Sequence, residues 1–255
     1  MTKFGSIGAE AHALQRLLGI ERTGYFDEAT AHAVRAFQQQ HGLVADGIVG
    51  EKTLYALNLG KANAQHLTMA DIERAAKALG VLPAVILAVN EVESRGTGFL
   101  SDGRIVILYE RHIMYRQLTA QGLDANSYAL NFPNLVNTKR GGYIGGSAEH
   151  ARLRTAKQID ESAALEACSF GLFQIMGFHW QALGYKTAQE FVAFMQKNEG
   201  NQLTVFVQFI LADATLHKAL KAKKWAEFAR IYNGPAYQQN FYDAKLAQAY
   251  ARHAA

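Results

Sequence analysis

Apolar positions along the chain recur mostly with helical period, and in the first sixty residues the same pattern occurs twice. At an offset of 23, Leu14 falls on Phe37, Gln15 on Gln38, Gly19 on Gly42, Gly24 on Gly47, Thr30 on Thr53 and Val34 on Leu57. Each copy reads as a helix, a glycine turn and the capped start of the next helix. Ala33, Val34 and Phe37 share one face, and Thr30 and Asp27 compete for the cap. Asp46-Gly47 signals a tight turn. Copies this short cannot each bury a face alone, so they are expected to pack on each other as one small helical bundle. Lys61 to His66 is polar and aperiodic, and reads as a linker.

Thr68 then precedes Met69, Ile72, Ala75, Ala76 and Leu79 at helical spacing, with Gly80 as the stop. Pro83 suits the first turn of the next helix, and Gly96 closes the run Leu82 to Arg95. At about 100° per residue, Val85, Ile86, Val89 and Glu93 share one apolar face while Glu91 lies opposite, so replacing Glu91 is expected to be close to neutral. Beyond Gly96 the period changes. Thr97 to Leu100 and Arg104 to Tyr109 are strand-like and flank Ser101-Asp102-Gly103, a short hairpin signal. The long remainder is helical, with Phe191, Phe194, Met195, Phe206 and Phe209 as core.

Composition narrows the class. With 49% apolar and 19% charged residues and three prolines, the 255 residues describe a folded protein, not a disordered tail, a collagen or a low-complexity array. Cys168 stands alone, which excludes an intrachain disulfide and fits synthesis in a reducing compartment; it reads as a small buried residue rather than a nucleophile. The longest apolar run, Val81 to Val89, is interrupted by Pro83 and falls short of the ~20 residues of a membrane span. The start, Met-Thr-Lys-Phe-Gly, has no signal-peptide stretch. Through residue 65 there are six basic and six acidic side chains, so the net +4 lies wholly in the remainder. That surplus favours an anionic polymer without choosing between nucleic acid, cell wall and membrane surface. The four lysines of Lys218 to Lys224 read as a solvated helix end rather than a nucleic-acid contact. Nine histidines include no His-Glu-x-x-His pair, so neither a metal nor another cofactor is expected.

The chemistry centres on Glu93. Apolar neighbours and the negative end of a helix both favour its protonated form. A glutamate held that way near neutral pH is suited to protonate a glycosidic oxygen. The position equally suits a glutamate at the rim of the core whose head reaches solvent, or one salt-bridged to Arg111 or Arg104. Asp102 is one candidate for a second carboxylate, although the hairpin turn also explains it. Glu110 and Glu149 are others, with Glu110 also readable as a structural ion pair. An inverting hydrolase needs a base ~6.5–9.5 Å from its acid.

The stretch Gly24-Tyr-Phe-Asp-Glu-Ala-Thr30, with Ala33-Val34, Phe37-Gln38, Gly42-Leu43, Asp46-Gly-Ile-Val-Gly50 and Thr53, resembles the three-helix peptidoglycan-binding domain. Glu93-Ser94 resembles the Glu-Ser pair of goose-type lysozymes and soluble lytic transglycosylases. Ser169 to Met176 is similar to their Ser-x-Gly-Leu-Met-Gln-Ile motif, and Ala229 to Pro235 to their Ala-Tyr-Asn-x-Gly motif with an extra residue. Closer still is a group of phage endolysins described as N-acetylmuramidases. Its marks are Glu93-Ser-x-Gly96-x-Gly98-Phe99, Leu108-Tyr-Glu-Arg-His112, Gly141-Gly-Tyr-x-Gly-Gly146 and Phe170-Gly-Leu-Phe-Gln-Ile-Met-Gly177.

The resemblance implies a mainly α (α+β) fold. A small three-helix binding domain over 1–62 would precede a lysozyme-like helical domain with a small β-hairpin or sheet over 67–255. It also implies that Glu93 is the catalytic general acid, with Ser94, Gln174, Tyr232 and Asn233 as substrate-binding candidates. Tyr232 equally suits a core tyrosine, and the Gln174 segment equally suits helix packing. Asp102 follows Glu93 at the spacing of T-even phage lysozymes, but the threonine those enzymes place six positions later is Leu108. The implied function is binding peptidoglycan and hydrolysing the β-1,4 bond between N-acetylmuramic acid and N-acetylglucosamine. The alternatives are a lytic transglycosylase and a non-catalytic wall-binding or virion protein. The expected setting is a monomer made in the host cytoplasm, acting on periplasmic peptidoglycan after membrane permeabilisation, without nucleic acid or membrane insertion.

Overall fold

The computed structural model describes residues 2–61, 63–94, 96–235 and 237–254. The chain forms two compact units, one of residues 1–96 with 215–255 and the other of residues 97–214. The first begins with α1 (Ala9–Leu18), α2 (Glu28–Gln40) and α3 (Glu51–Leu59). Leu14, Phe26, Val34 and Val49 form their common core.

The offset of 23 has a physical origin, a buried glutamine at the centre of each copy. The Gln15 carboxamide donates to Thr23 Oγ1 (2.8 Å), Tyr25 O (2.9 Å) and Thr30 Oγ1 (2.9 Å) and accepts from Gly24 N (2.9 Å). Gln38 repeats this with Asp46 Oδ1 (2.9 Å), Ile48 O (3.0 Å), Thr53 Oγ1 (3.1 Å) and Gly47 N (2.9 Å). Gly24 and Gly47 sit at φ +71° and +73°, where an L side chain is strained. Thr30 thus serves the glutamine, and Asp27 caps α2 by accepting from Thr30 N at 2.8 Å. Ala62 of the expected linker lies outside the described residues; beside it, Gln65 N donates to Asn63 Oδ1 at 2.9 Å.

Helix α4 (Met69–Leu79) opens on a capping box between Thr68 and Asp71. Helix α5 (Pro83–Glu93) has Pro83 in its first turn and every residue from Ala84 to Val89 buried. Its last helical residue is Glu93; Arg95, the expected end, lies outside the described residues.

In the second unit the expected hairpin is reduced to a single bridge between Phe99 and Ile105. Gly98 N donates to the buried Glu199 carboxylate (2.8 Å) rather than across the hairpin. The edge of β1 (Ile107–Tyr109) pairs elsewhere. After α6 (Arg111–Ala120), α7 (Ala125–Asn131), α8 (Ala148–Ala156) and α9 (Glu161–Glu166) come β2 (Cys168–Phe170) and β3 (Ile175–Met176). The antiparallel sheet runs β1-β2-β3, with Leu108 opposite Ser169 and Phe170 opposite Ile175. The Phe-Gly-Leu-Phe-Gln stretch is therefore strand and turn, not helix. Cys168 is fully buried, and burial pushes its thiol far up. Helices α10 (Ala188–Met195) and α11 (Glu199–Ala212) complete this unit around Tyr109, Phe170, Phe191 and Phe206.

The chain then returns to the first unit as α12 (Ala214–Lys221), α13 (Trp225–Tyr232) and α14 (Tyr242–Ala254), with α14 packed along α5 and α13. Glu91 accepts from Arg252 Nη2 (2.5 Å) and His253 Nε2 (3.0 Å) at the end of α14. Burial pushes the Glu91 carboxyl up, but His253 and Arg252 together outweigh that and hold it below its ordinary value. Its removal, expected to be neutral for cleavage, therefore bears on stability instead. Glu91→Ala is expected to lose about 1–2 kcal/mol of stability, seen as a lower thermal midpoint, with cleavage per folded molecule retained.

Candidate active site

Helix α5 is apolar enough to be buried along most of its length, and it carries Glu93 as its last residue. Ser94 leaves the helix in extended conformation (φ −79°, ψ 147°) while its N–H still bonds Asn90 O at 3.2 Å. The Glu93 carboxyl is thereby held at the helix mouth, half-buried. Burial pushes it up to about 7, against the opposing hydrogen bond from Asn233. Asn233 Nδ2 donates to Glu93 Oε1 at 2.9 Å, and Glu93 makes no ion pair among the described residues.

Asn233 reaches Glu93 because α13 ends there. The Asn233 N–H closes the last turn on Ala229 O (2.8 Å), and Gly234 follows at φ +84°. Phe228 and Ala229 anchor this turn in the core, and Tyr232 stacks on Phe228 with ring centroids 5.6 Å apart. Burial first, then the neighbouring Glu93 charge, raise the Tyr232 hydroxyl well above its ordinary value, so it stays neutral. The structure thus brings Glu93, Ser94, Tyr232 and Asn233 together.

The other predicted residues belong to the second unit. Gln174 occupies a left-handed conformation (φ 50°), uncommon for a residue with a side chain. It accepts from Ser169 Oγ (2.8 Å) and donates to Gly171 O (2.8 Å), closing the β2–β3 turn on itself. Asp102 is exposed in its turn, where it accepts from the Arg104 guanidinium (2.6 and 3.0 Å) and from Arg104 N (3.1 Å). The Arg104 side-chain hydrogen bonds hold its carboxyl below the ordinary range. Arg104 is thus paired with Asp102, while Arg111 donates to the carbonyls of Pro133, Lys139 and Arg140.

Glu110 accepts from the Tyr143 hydroxyl (2.8 Å) and lies 3.1 Å from His112 Nδ1. Glu149 is fully buried, and all four of its acceptor positions are used. Oε1 takes Ile144 N (2.7 Å) and Gly145 N (3.0 Å), and Oε2 takes Arg152 Nη1 (2.8 Å) and Tyr109 N (3.2 Å). It has no lone pair left to activate water.

Two residues that hold this unit's motif were not found in the sequence. Gln202 Oε1 accepts from Leu172 N (2.8 Å) and its Nε2 donates to Met195 O (3.2 Å). A Cβ on Gly98 or Gly171 would lie 2.1 or 2.5 Å from the Gln202 carboxamide, which explains both glycines. Glu199 holds Gly98 N. Their sequence signal is weak: they are two of the three polar side chains, with Asn201, in the first turn of a mostly apolar helix. Among the described residues no three His, Cys, Asp or Glu side chains gather as metal ligands. No single helix among them is long and apolar enough to cross a membrane.

Comparison with known proteins extends these observations. The N-acetylmuramidase family profile matches residues 82–254, which include Glu93, the β2–β3 turn and Asn233. The chain belongs to the N-acetylmuramidase family. A peptidoglycan-binding-domain profile matches residues 12–57, the glutamine-centred repeats. No curated protein matches the chain. Among solved structures the muramidase is similar to the Burkholderia AP3 phage endolysin, at 53% identity over 99% of this chain and 98% of that one, with a TM-score of 0.96. N-acetylmuramidases are glycoside hydrolases, and Glu93 is the group whose setting here suits acid catalysis of that class.

Proposed function

We propose that this muramidase is an endolysin that hydrolyses the β-1,4 bond between N-acetylmuramic acid and N-acetylglucosamine, with Glu93 as general acid. The observation that carries this reading is a carboxyl at the end of an apolar helix, raised to about 7 and held by one amide. Asn233 donates to Oε1, so the transferable proton sits on Oε2. That proton passes to the glycosidic oxygen as the bond to muramic acid C1 breaks; water then adds to C1 and releases a proton, and uptake of a proton from solvent restores the Glu93 acid. Neutral Tyr232 adds no charge opposing this transfer.

Ser94, Tyr232, Asn233 and Gln174 are proposed as substrate contacts. Gln174 keeps one Nε2 hydrogen and one Oε1 lone pair for that purpose. Asp102 is the remaining proposal for a second carboxylate; its pairing with Arg104 keeps it ionised, as a base requires, but also accounts for it as a turn anchor. Residues 1–62 would act as the wall-binding module and 67–255 as the catalytic part. The module raises the local concentration of glycan rather than the chemical rate. The setting proposed is a monomer made in the host cytoplasm that reaches periplasmic peptidoglycan once the membrane is permeabilised.

Mass analysis of digested peptidoglycan tests the reaction. Reducing muramic acid ends are expected. Ends carrying a 1,6-anhydro ring would make the enzyme a lytic transglycosylase, and no release at all would make it a binding protein. A second expectation concerns Asn233. Its hydrogen bond favours the ionised carboxylate, so Asn233→Leu should raise the Glu93 pKa further. The alkaline limb of the pH–rate profile should then move to higher pH while the maximal rate falls. An unmoved limb would separate Asn233 from the acid.

A further inference from the structure

The two copies of the N-terminal repeat share their framework but not what they present to solvent. In the first copy the segment before α1 runs antiparallel to residues 24–26. Gly8 N donates to Gly24 O (2.9 Å), Phe26 N to Ser6 O (2.8 Å) and Gly5 N to Phe26 O (2.9 Å). The first two of these bonds flank a bridge between Ile7 and Tyr25, a pairing that sets the two side chains close together on one face. That face is turned to solvent: Ile7 is 79% and Tyr25 41% exposed, while Phe26 beside it is fully buried. The corresponding bridge of the second copy, Thr2 with Val49, is buried at both residues, and Ile48 stands in the place of Tyr25. Tyr25 is clamped through its backbone, its N–H donating to Thr23 Oγ1 (3.3 Å) and its carbonyl accepting from Gln15 Nε2 (2.9 Å) and Thr23 Oγ1 (3.0 Å). Its hydroxyl bonds nothing among the described residues. A lone exposed apolar side chain is ordinary, but an isoleucine and a tyrosine fixed side by side on a rigid edge contribute nothing to the core and suit a ligand.

We propose that the Ile7–Tyr25 face is where residues 1–62 hold the wall, and that it takes the glycan strand rather than the charged stem peptides. An N-acetylated sugar offers a C–H face and an acetamido methyl to the ring and the isoleucine, and a hydroxyl or acetamido carbonyl to the free Tyr25 hydroxyl. Charge favours the sugar over the peptide. The two paired segments carry one charge of each sign, Lys3 and Asp27, and the first 65 residues hold six basic and six acidic side chains, so no net field draws in a carboxylate. The proposal rests on the reading of this stretch as the wall-binding module, a reading that the peptidoglycan-binding profile over residues 12–57, Tyr25 included, supports.

The test uses the full-length protein carrying Glu93→Gln, so that binding is read without cleavage. Affinity is measured for purified sacculi by co-sedimentation and for glycan strands freed of peptides by calorimetry. Tyr25→Ser is expected to weaken both about five- to thirtyfold and Ile7→Ser about threefold. Tyr25→Phe keeps the ring and should lose no more than about threefold. Both positions are exposed, so thermal midpoints should stay within about 2 °C of the parent's. A framework variant, Gln15→Ala with Gln38→Ala, dismantles the module and should lower affinity at least as far. Unchanged affinity in Tyr25→Ser and Ile7→Ser would overturn the proposal. If the framework variant then still weakens binding, the module holds the wall by another face; if it does not, the reading of residues 1–62 as the wall-binding part fails as well. Variants that lose affinity for sacculi alone would overturn the assignment to glycan and make the stem peptides the ligand.

Discussion

Replacing Glu93 with Gln is expected to reduce peptidoglycan cleavage by about 10²–10⁴-fold, the usual contribution of a positioned general acid. The same change should stabilise the protein at neutral and alkaline pH. The sign follows from the raised pKa. The folded carboxyl holds its proton up to about 7, whereas an unfolded glutamate releases it near ~4.3. Stability therefore falls as pH rises between those values, and above about 7 the full penalty of an ionised, poorly solvated carboxylate is present. A shift of that size corresponds to about 3–4 kcal/mol for a group wholly removed from water. Glu93 retains some solvent contact, so a gain of about 1–2 kcal/mol is expected for Glu93→Gln at pH 8, and none at pH 4. Thermal unfolding at the two pH values, together with clearing of a cell-wall suspension, checks both halves. Full clearing by the variant would remove Glu93 from the mechanism. Equal stability at both pH values would mean that the carboxyl is not held in its protonated form.

The setting of Glu93 was legible in the sequence, because it depends on local features. Helical spacing placed Glu93 with Val85, Ile86 and Val89, and a glycine three residues on marked the end of the helix. The repeat of the first sixty residues was legible for a similar reason. All three members of each interacting set, Gln15 with Gly24 and Thr30, and Gln38 with Gly47 and Thr53, fall within 15 residues of each other.

What escaped the sequence was long-range. Gly98 meets Glu199 a hundred and one positions away, and that bond diverts the hairpin from its ladder. The Phe-Gly-Leu-Phe-Gln stretch has a mixed pattern that fits a helix, and only its pairing with Ile107 to Tyr109 makes it a strand and turn. Glu91 was correctly placed away from Glu93, but periodicity cannot show that Arg252 and His253 await it at the far end of the chain.

Glu149 carries the largest expected effect on folding. It is fully buried, four donors converge on it from Tyr109, Ile144, Gly145 and Arg152, and Arg152 in turn holds the Tyr109 and Asn134 carbonyls at 3.2 and 2.7 Å. The Arg152 guanidinium also lies over the Tyr109 ring, 4.9 Å from its centroid. One carboxylate thus ties the end of β1 to the glycine-rich segment and to α8. Glu149→Leu leaves the buried Arg152 cation and the buried Tyr109 N–H without their acceptor, and frees the Ile144 and Gly145 N–H groups of an exposed segment; it is expected to cost about 3–5 kcal/mol. That is a large share of the ~5–15 kcal/mol that holds a domain together. Burial alone would push the Glu149 carboxyl up, but the Gly145 and Ile144 N–H groups and the Arg152 charge outweigh it, so the folded value lies below the ordinary one. Its contribution is therefore complete above the unfolded glutamate pKa and is lost as pH falls through the lower folded value. The wild type should accordingly lose stability in acid over a range in which Glu149→Leu loses less. Adding Arg152→Met to Glu149→Leu removes the stranded charge and should recover part of the loss, as measured by urea denaturation of the single and double variants. A double variant no more stable than Glu149→Leu would mean that the backbone donors, not the ion pair, carry the cost.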